Sequence, residues 1–111
     1  MTITIPYRLA SAANLREHWR TRHRRTKEQR QLVTMFLGKP THPAFPLTVR
    51  LTRIAPRALD GDNLQSAFKA VRDAVAAWIG VPDNHAGIVW EYGQAAKGVG
   101  EYAILIEVES K

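Results

Sequence analysis

Two aspartates separated by one glycine, Asp60 and Asp62, are the residues whose type and spacing point most directly to chemistry. In an extended segment the side chains of residues i and i+2 point the same way. Two carboxylates held that close repel each other, and a divalent cation relieves the repulsion. Mg²⁺ and Mn²⁺ prefer such carboxylate oxygens. The alternative is turn and helix-cap chemistry, which the segment Asp-Gly-Asp-Asn suits equally well.

A third aspartate, Asp83, lies beyond the helix that the sequence predicts after Asp62. Such a helix carries Asp83 about 25 Å away along its axis. The three carboxylates therefore share one metal only if the following loop folds back, or if a second subunit supplies Asp83. A simple turn residue after Pro82 is the alternative interpretation of this acid.

Lys69 falls on the same side of the predicted helix as Asp62, about two turns further along. From there a lysine can hold a scissile phosphate and offset the negative charge that develops on it. The spacing of Lys69 and Asp73, i and i+4, favours a surface ion pair equally.

Residues 16–30 form a strongly basic segment that also contains Trp19. Arginine and lysine neutralise phosphates and tryptophan stacks on a base or sugar, so the segment favours nucleic-acid binding. A solvated arm that only aids solubility is the alternative. The candidate DNA-binding residues are Arg16, Trp19, Arg20, Arg22, Arg24, Arg25 and Lys27.

The chain of 111 residues carries a net charge of +6, and its charge is unevenly placed. Residues 1–53 hold eleven basic and two acidic residues, a balance that suggests a polyanionic partner. Cysteine is absent, which excludes disulfides, thiolate zinc sites and a cysteine nucleophile. No apolar run approaches the ~20 residues of a membrane helix, and the first residues do not resemble a secretory signal. We therefore expect a cytoplasmic protein without a membrane partner.

The pattern of apolar residues predicts one α+β domain over residues 1–111, with a mixed sheet and two helices in the order β-α-β-α-β-β. Alternation in Leu47 to Ile54 predicts a strand with one buried face. The second helix has one apolar side by its helical period, and Gly80 and Pro82 end it. The residues of this apolar side are Leu64, Phe68, Val71, Val75, Trp78 and Ile79. The predicted elements are strands at 2–9, 47–54, 88–94 and 102–108, helices at 26–37 and 62–79, and a hairpin turn at 97–100.

Three segments in a fixed order resemble the RusA family of Holliday junction resolvases. They are Asp-Gly-Asp-Asn-Leu-Gln at 60–65, Ala-Val-Arg-Asp-Ala-Val at 70–75 and Gly-Val-Pro-Asp-Asn at 80–84. The likeness covers roughly residues 53–94. A fainter likeness to the start of the family's sequences is carried by Ile5, Pro6, Ser11, Asn14, Trp19 and Arg20.

The resemblance implies a small, often phage-borne, homodimeric α+β endonuclease of bacterial or phage-infected cells. Its members cut four-way junctions and other branched DNA in recombination and repair, by phosphodiester hydrolysis that depends on Mg²⁺ or Mn²⁺. Asp60 and Asp62 match the family's metal-binding aspartates, and Asp83 matches the first acid of a later pair. Lys69 would be the catalytic lysine, and Arg57 lies in the basic loop that precedes the motif.

The chain departs from the family pattern at three places. Ser66 stands where the family has its lysine, and Lys69 follows about one turn later. Asn84 replaces the second acid of the late pair, and residues 85–87 do not match the usual continuation. Two further classes therefore stay open beside the nuclease. One is a non-catalytic nucleic-acid-binding module of the same fold, and the other is an interaction protein that binds no nucleic acid.

Overall fold

The computed structural model describes residues 1–10, 19–98 and 100–110, and within them it is an α+β domain with three helices and a four-stranded mixed sheet. The elements follow the predicted order except that the second helix is in two pieces. They are β1 Thr2–Ile5, α1 Trp19–Leu37, β2 Leu47–Ala55, α2 Gly61–Ala67, α3 Lys69–Ile79, β3 Ile88–Ala96 and β4 Ala103–Ser110. Among the described residues, no helix is both long enough and apolar enough to cross a lipid bilayer.

The strands lie in the order β1-β4-β2-β3. β2 pairs in parallel with β3, so that Leu51 is opposite Tyr92, and antiparallel with β4, so that Leu51 is also opposite Ile106. β1 is an edge strand paired with β4, and it ends directly before Pro6, four residues before the predicted end of the strand at 2–9, because proline has no N–H for a strand ladder.

The predicted hairpin at 97–100 is wrong, because β3 and β4 lie on opposite sides of β2 and do not pair with each other. The helices α2 and α3 form the crossover connection that brings β3 parallel to β2. The chain then passes the end of β2, where the Lys97 N–H donates to the Ala55 carbonyl at 3.2 Å, and β4 takes the other edge.

α1 begins at Trp19, seven residues before the predicted start at Thr26. Arginine, lysine and glutamine are good helix formers, so the basic segment continues the helix rather than forming a separate arm. The buried positions Gln29, Val33 and Leu37 recur every four residues and pack α1 onto the core. Residues 16–18 of the predicted arm lie outside the described residues.

The predicted helix at 62–79 is interrupted at Phe68, which separates α2 from α3. Its predicted apolar side is confirmed, because Leu64, Phe68, Val71, Val75 and Ile79 are buried while Trp78 is half-buried. Gly80 ends α3 with φ of 94°, the left-handed conformation that glycine adopts without steric cost.

The helices cover one face of the sheet. Leu47, Val49 and Leu51 of β2 point into this core, together with Ile104 and Ile106 of β4. The opposite face, called here the open face, carries the alternate residues of the same strands, which are all half-buried or exposed. It consists of Thr48, Arg50, Thr52, Ile54, Val89, Glu91, Gly93, Ala95, Ala103, Leu105, Glu107 and Glu109, with Thr2 and Thr4 at the β1 edge.

Candidate functional site

The loop that carries Asp60 leaves the sheet at the carboxyl ends of β2 and β3, and a glutamine of β3 holds it there. The Gln94 side-chain amide donates to the Leu59 carbonyl at 2.7 Å and accepts from the Leu59 N–H at 2.8 Å. Both polar groups of the Leu59 backbone are thereby fixed to the sheet. The residue directly before Asp60 therefore has a defined position.

The buried guanidinium of Arg53 fixes the start of the same loop. Its Nη1 donates to the Arg57 carbonyl at 2.6 Å, and its Nε donates to the Leu9 carbonyl at 2.8 Å. Burial lowers the pKa of Arg53, and the nearby Arg8 charge acts in the same direction. Arg53 is opposite Gln94 in the β2–β3 register. At the end of the sheet nearest Asp60, the core face thus carries two polar residues, Arg53 and Gln94. Their side chains hydrogen-bond to loop backbone instead of packing into the core.

Asp60 occupies the N-cap position of α2, but its side chain makes no capping hydrogen bond. Asp60 and Asp62 are both exposed, and neither has a hydrogen-bond or ion-pair partner among the described residues. Gly61 between them has open space where a Cβ would lie. The Asp60 side chain therefore does not cap the helix, which was the alternative to binding a metal. Both carboxylates are available to a ligand.

Asp83 is held by an arginine of α3. Arg72 donates from Nε to Asp83 Oδ2 at 2.9 Å and from Nη2 to the Asp83 carbonyl at 3.0 Å. Its Nη1 donates to the Tyr92 hydroxyl at 3.0 Å, while its guanidinium carbon lies 4.7 Å from the centre of the Trp90 ring. Trp90 Nε1 also donates to the Asp83 carbonyl at 2.8 Å. The loop after α3 is thus tied to both α3 and β3.

These contacts set the pKa of Arg72. Burial alone would lower it, but the hydrogen bond to Tyr92 and the charge of Asp83 more than offset the burial, so the pKa is raised. Arg72 therefore stays charged, and its charge is matched by the Asp83 carboxylate.

The loop after α3 folds back, but not far enough to unite the three aspartates. Asp83 contacts Trp90 of β3, whereas the Asp60 loop contacts Gln94. Four residues of strand separate these contacts, which is about 13 Å. The described part of the chain contains no group of three or more His, Asp or Glu residues arranged to hold a metal. The structure thus leaves Asp83 in a different contact from Asp60 and Asp62. These two do not lie in the extended segment that the sequence predicted, because Asp60 is the N-cap of α2 and Asp62 lies within the helix.

A groove with a positively charged lining runs between α1 and the helices α2 and α3. Its volume is about 290 Å³. Ser66 of α2 lies in its wall, and Asp62 precedes Ser66 by four residues, on the same side of the helix. Asp62 therefore lies about one helical turn from the groove wall, although neither Asp60 nor Asp62 lines the groove itself. This cationic groove is lined by Arg22, Arg25, Thr26, Gln29, Arg30, Ser66, Ala67, Lys69, Ala70 and Asp73.

Lys69 makes the surface ion pair that its spacing allowed. Its Nζ lies 3.8 Å from Asp73 Oδ2, and Arg30 Nη2 of α1 lies 3.4 Å from the same oxygen. Lys69 also lines the cationic groove, with its side chain 76% exposed. In this position Lys69 can thus form the ion pair with Asp73 and also contact a phosphate in the cationic groove.

The other predicted DNA-binding residues lie in the first turns of α1 and in the loop after β2. Trp19 is 66% exposed, and the Arg20 guanidinium lies 5.2 Å from the centre of its ring. Arg22 and Arg25 line the cationic groove. The exposed residues of the set are Arg20, Arg22, Arg24, Lys27 and Arg57, Arg25 is half-buried, and Arg16 lies outside the described residues.

Sequence reasoning missed the residues that position the site. Gln94 and Arg53 stand at positions where the alternation of their strands calls for an apolar side chain, and that mismatch was the available signal. Arg30 belongs to the basic segment, but nothing in the sequence connects it to Asp73, 43 residues away. No feature of the sequence indicates the role of Arg72, because its partners depend on how the loop after α3 folds.

Comparison of the sequence with known protein families and with curated proteins found no significant match.

Proposed function

We propose that this protein is a structure-selective endodeoxyribonuclease that hydrolyses a phosphodiester of branched DNA, such as a four-way junction, with the help of a divalent ion. One observation carries the proposal. Asp60 and Asp62, two carboxylates without a hydrogen-bond or ion-pair partner among the described residues, precede a cationic groove that is suited to a DNA backbone, with Asp62 about one helical turn from Ser66 in its wall. A nuclease of this class needs these two parts next to each other, because the ion and the phosphate must meet.

The donor set at Asp60 and Asp62 fits Mg²⁺ or Mn²⁺. Both side chains are exposed carboxylates on a turn whose backbone Gln94 fixes through Leu59. Hard divalent cations bind through such oxygens and keep part of their water shell. When bound, the ion would polarise a phosphate oxygen and lower the pKa of a water molecule.

The remaining tasks fall to residues of the chain itself. Arg22 and Arg25 hold backbone phosphates along the groove, and Lys69 offsets negative charge on the phosphate near Asp62. Trp19, exposed at the start of α1, stacks on a base or sugar beyond the groove. Asp83 anchors the loop after α3 through Arg72, and it becomes a metal ligand only if that contact opens or if it serves the site of a second subunit.

Paired cutting of a junction requires two sites, and we place the contact between two copies on the open face of the sheet. Arg50 lies between Glu91 and Glu107 in the strand registers, yet no ion pair joins these described residues. Ile54 and Leu105 add an apolar patch beside the charges. A second copy related by a two-fold axis would set Arg50 of each against a glutamate of the other, while the two further glutamates of each face would oppose the contact.

A non-catalytic DNA-binding module is the second candidate, and the Arg72–Asp83 contact favours it. That contact occupies the third carboxylate, and Asn84 next to it carries no charge. The cationic groove would then bind DNA while Asp60 and Asp62 stay without an ion.

Nicking of a synthetic four-way junction distinguishes these candidates. With Mg²⁺ or Mn²⁺ we expect strand cleavage by the unmodified protein, loss of at least 100-fold (about 3 kcal/mol) in Asp62→Asn, and no loss in Ala44→Lys, an exposed residue of the loop before β2. Salt-sensitive binding without cleavage would establish the binding module. Absence of binding to junction, duplex and single strand at low salt would leave only the interaction protein.

A further inference from the structure

Asp73 is the acidic residue in the wall of the cationic groove, and two cations from different elements share one of its oxygens. Oδ2 lies 3.4 Å from Arg30 Nη2 of α1 and 3.8 Å from Lys69 Nζ of α3. Both distances exceed the ~2.7–2.9 Å of a strong charge-assisted hydrogen bond. The Arg30 and Lys69 side chains are 52% and 76% exposed. These ion pairs are therefore loose and open to solvent.

We propose that Arg30 and Lys69 form a binding site for a backbone phosphate, and that Asp73 occupies this site as an internal counter-anion until phosphate displaces it. The inference rests on the proposed function in one respect, which is that the phosphate belongs to DNA. The site adds Arg30 and Asp73 to the residues that govern binding.

Exchange of Asp73 for phosphate is physically favourable for two reasons. Solvent-exposed ion pairs contribute little net stability, so Lys69 and Arg30 leave Asp73 at low cost. A phosphodiester carries one negative charge, as Asp73 does, but its charge and acceptor oxygens also face Arg22 and Arg25 in the groove wall. Asp73 therefore lowers the affinity of the groove for any single phosphate, and it favours DNA that also contacts the rest of α1.

The counter-anion model makes a prediction that simple groove binding does not: removal of Asp73 strengthens binding. We would measure the anisotropy of a labelled junction and of a duplex at low salt in EDTA, where no cleavage occurs. Asp73→Asn should bind about five-fold more tightly, the factor that corresponds to the upper end of a surface ion pair. Ala44→Lys changes the net charge equally at an exposed residue of the loop before β2, and it should change the affinity less than two-fold.

The cations should act in the opposite direction. Arg30→Gln and Lys69→Gln should each weaken binding, whereas Lys39→Gln, an exposed lysine after α1, should not. Thermal melts of all variants show whether each one is folded, and Asp73→Ser provides a second neutral variant if Asp73→Asn is not. Equal affinities for Asp73→Asn and Ala44→Lys would overturn the counter-anion role.

A titration with inorganic phosphate, followed by the amide signals of the groove residues, separates this inference from the nuclease proposal. Phosphate binding that increases in Asp73→Asn, with no binding of any DNA, would keep the anion site and overturn its assignment to DNA. Tighter DNA binding by Asp73→Asn together with failure in the nicking assay would keep the site and reject the nuclease. Absence of both phosphate and DNA binding would overturn the inference.

Discussion

Gln94 and Leu59 join the sheet to the Asp60 turn through two hydrogen bonds, at 2.7 and 2.8 Å, between one side-chain amide and one backbone residue. A side-chain amide has both a donor and an acceptor, so it can replace a missing strand neighbour. Leu59 is thereby held at the edge of β3 as a strand residue would be, and the carboxylate after it is positioned by the sheet.

Replacement of Gln94 by alanine should therefore impair the site more than the fold. We expect a loss of about 1 kcal/mol in the free energy of unfolding for each hydrogen bond removed at this solvent-exposed place. We also expect a drop of at least ten-fold in metal-dependent cleavage, because the Asp60 backbone is no longer fixed. Urea unfolding and junction cleavage measure the two effects separately.

Gln94→Glu is the matched variant for this test. It keeps an acceptor for the Leu59 N–H but loses the donor to the Leu59 carbonyl. An intermediate activity is expected, and full activity in Gln94→Ala would show that the turn keeps its position without the amide.

The Arg72–Asp83 contact should be important for stability. Arg72→Met removes three hydrogen bonds and a stacking contact with Trp90, and we expect it to cost about 2–4 kcal/mol. Arg24→Gln, an exposed residue of α1, is the control and should stay within about 0.5 kcal/mol. Urea unfolding monitored by circular dichroism measures both.

Asp83→Asn tests whether this acid is an anchor or a metal ligand. As an anchor it should reduce stability, because Arg72 loses a charged partner, while the cleavage rate of the folded protein stays within about three-fold. As a metal ligand its replacement should abolish cleavage, as replacement of Asp62 should. A loss as large as that of Asp62→Asn would therefore move Asp83 back into the site.

DNA binding through α1 should depend steeply on salt. The logarithm of the affinity should fall linearly with the logarithm of the salt concentration, and removal of one phosphate-binding side chain should reduce the slope by about one. We expect this reduction for Arg22→Gln and Arg25→Gln, and none for Lys39→Gln. An unchanged slope in both groove variants would place the DNA elsewhere.

The open face should mediate self-association. Leu105→Arg replaces a half-buried apolar side chain of the open face, opposite Thr4 and Thr52, with a charge, so it should convert a dimer to a monomer without loss of secondary structure. Light scattering after size exclusion gives the mass of the unmodified protein and of the variant. A monomeric unmodified protein at high concentration would contradict this interface.

The burial of each element could be predicted from its own residues. Alternation placed Leu47, Val49 and Leu51 on one face of β2, and the helical period placed Phe68 and Val75 in the core. Burial in these segments is set by local spacing, so the sequence contains the information. The α+β fold class could be predicted from these assignments of helices and strands.

Relationships between distant segments could not be predicted in this way. The strand order depends on which edge of β2 stays free for β4 after β3 has paired. The turn-like residues at 97–100 do not indicate which edge that is. The cationic groove exists because α1 packs beside α3, which brings Arg30 to Asp73. Likewise, the contact between Asp83 and Arg72 depends on the path of the loop after α3. The spacing of the aspartates in the sequence indicates only how far apart they would lie along a straight helix.

Mn²⁺ broadening of the backbone amide signals tests the central claim most directly, because a paramagnetic ion marks the residues nearest to it. The account predicts that at low Mn²⁺ the amides of Asp60, Gly61 and Asp62 broaden first, and that Asp62→Asn removes the effect. The loop around Asp83 should keep its signals. Uniform broadening of all exposed acids, or selective broadening at Asp83 alone, would contradict an ion site at the Asp60–Asp62 turn.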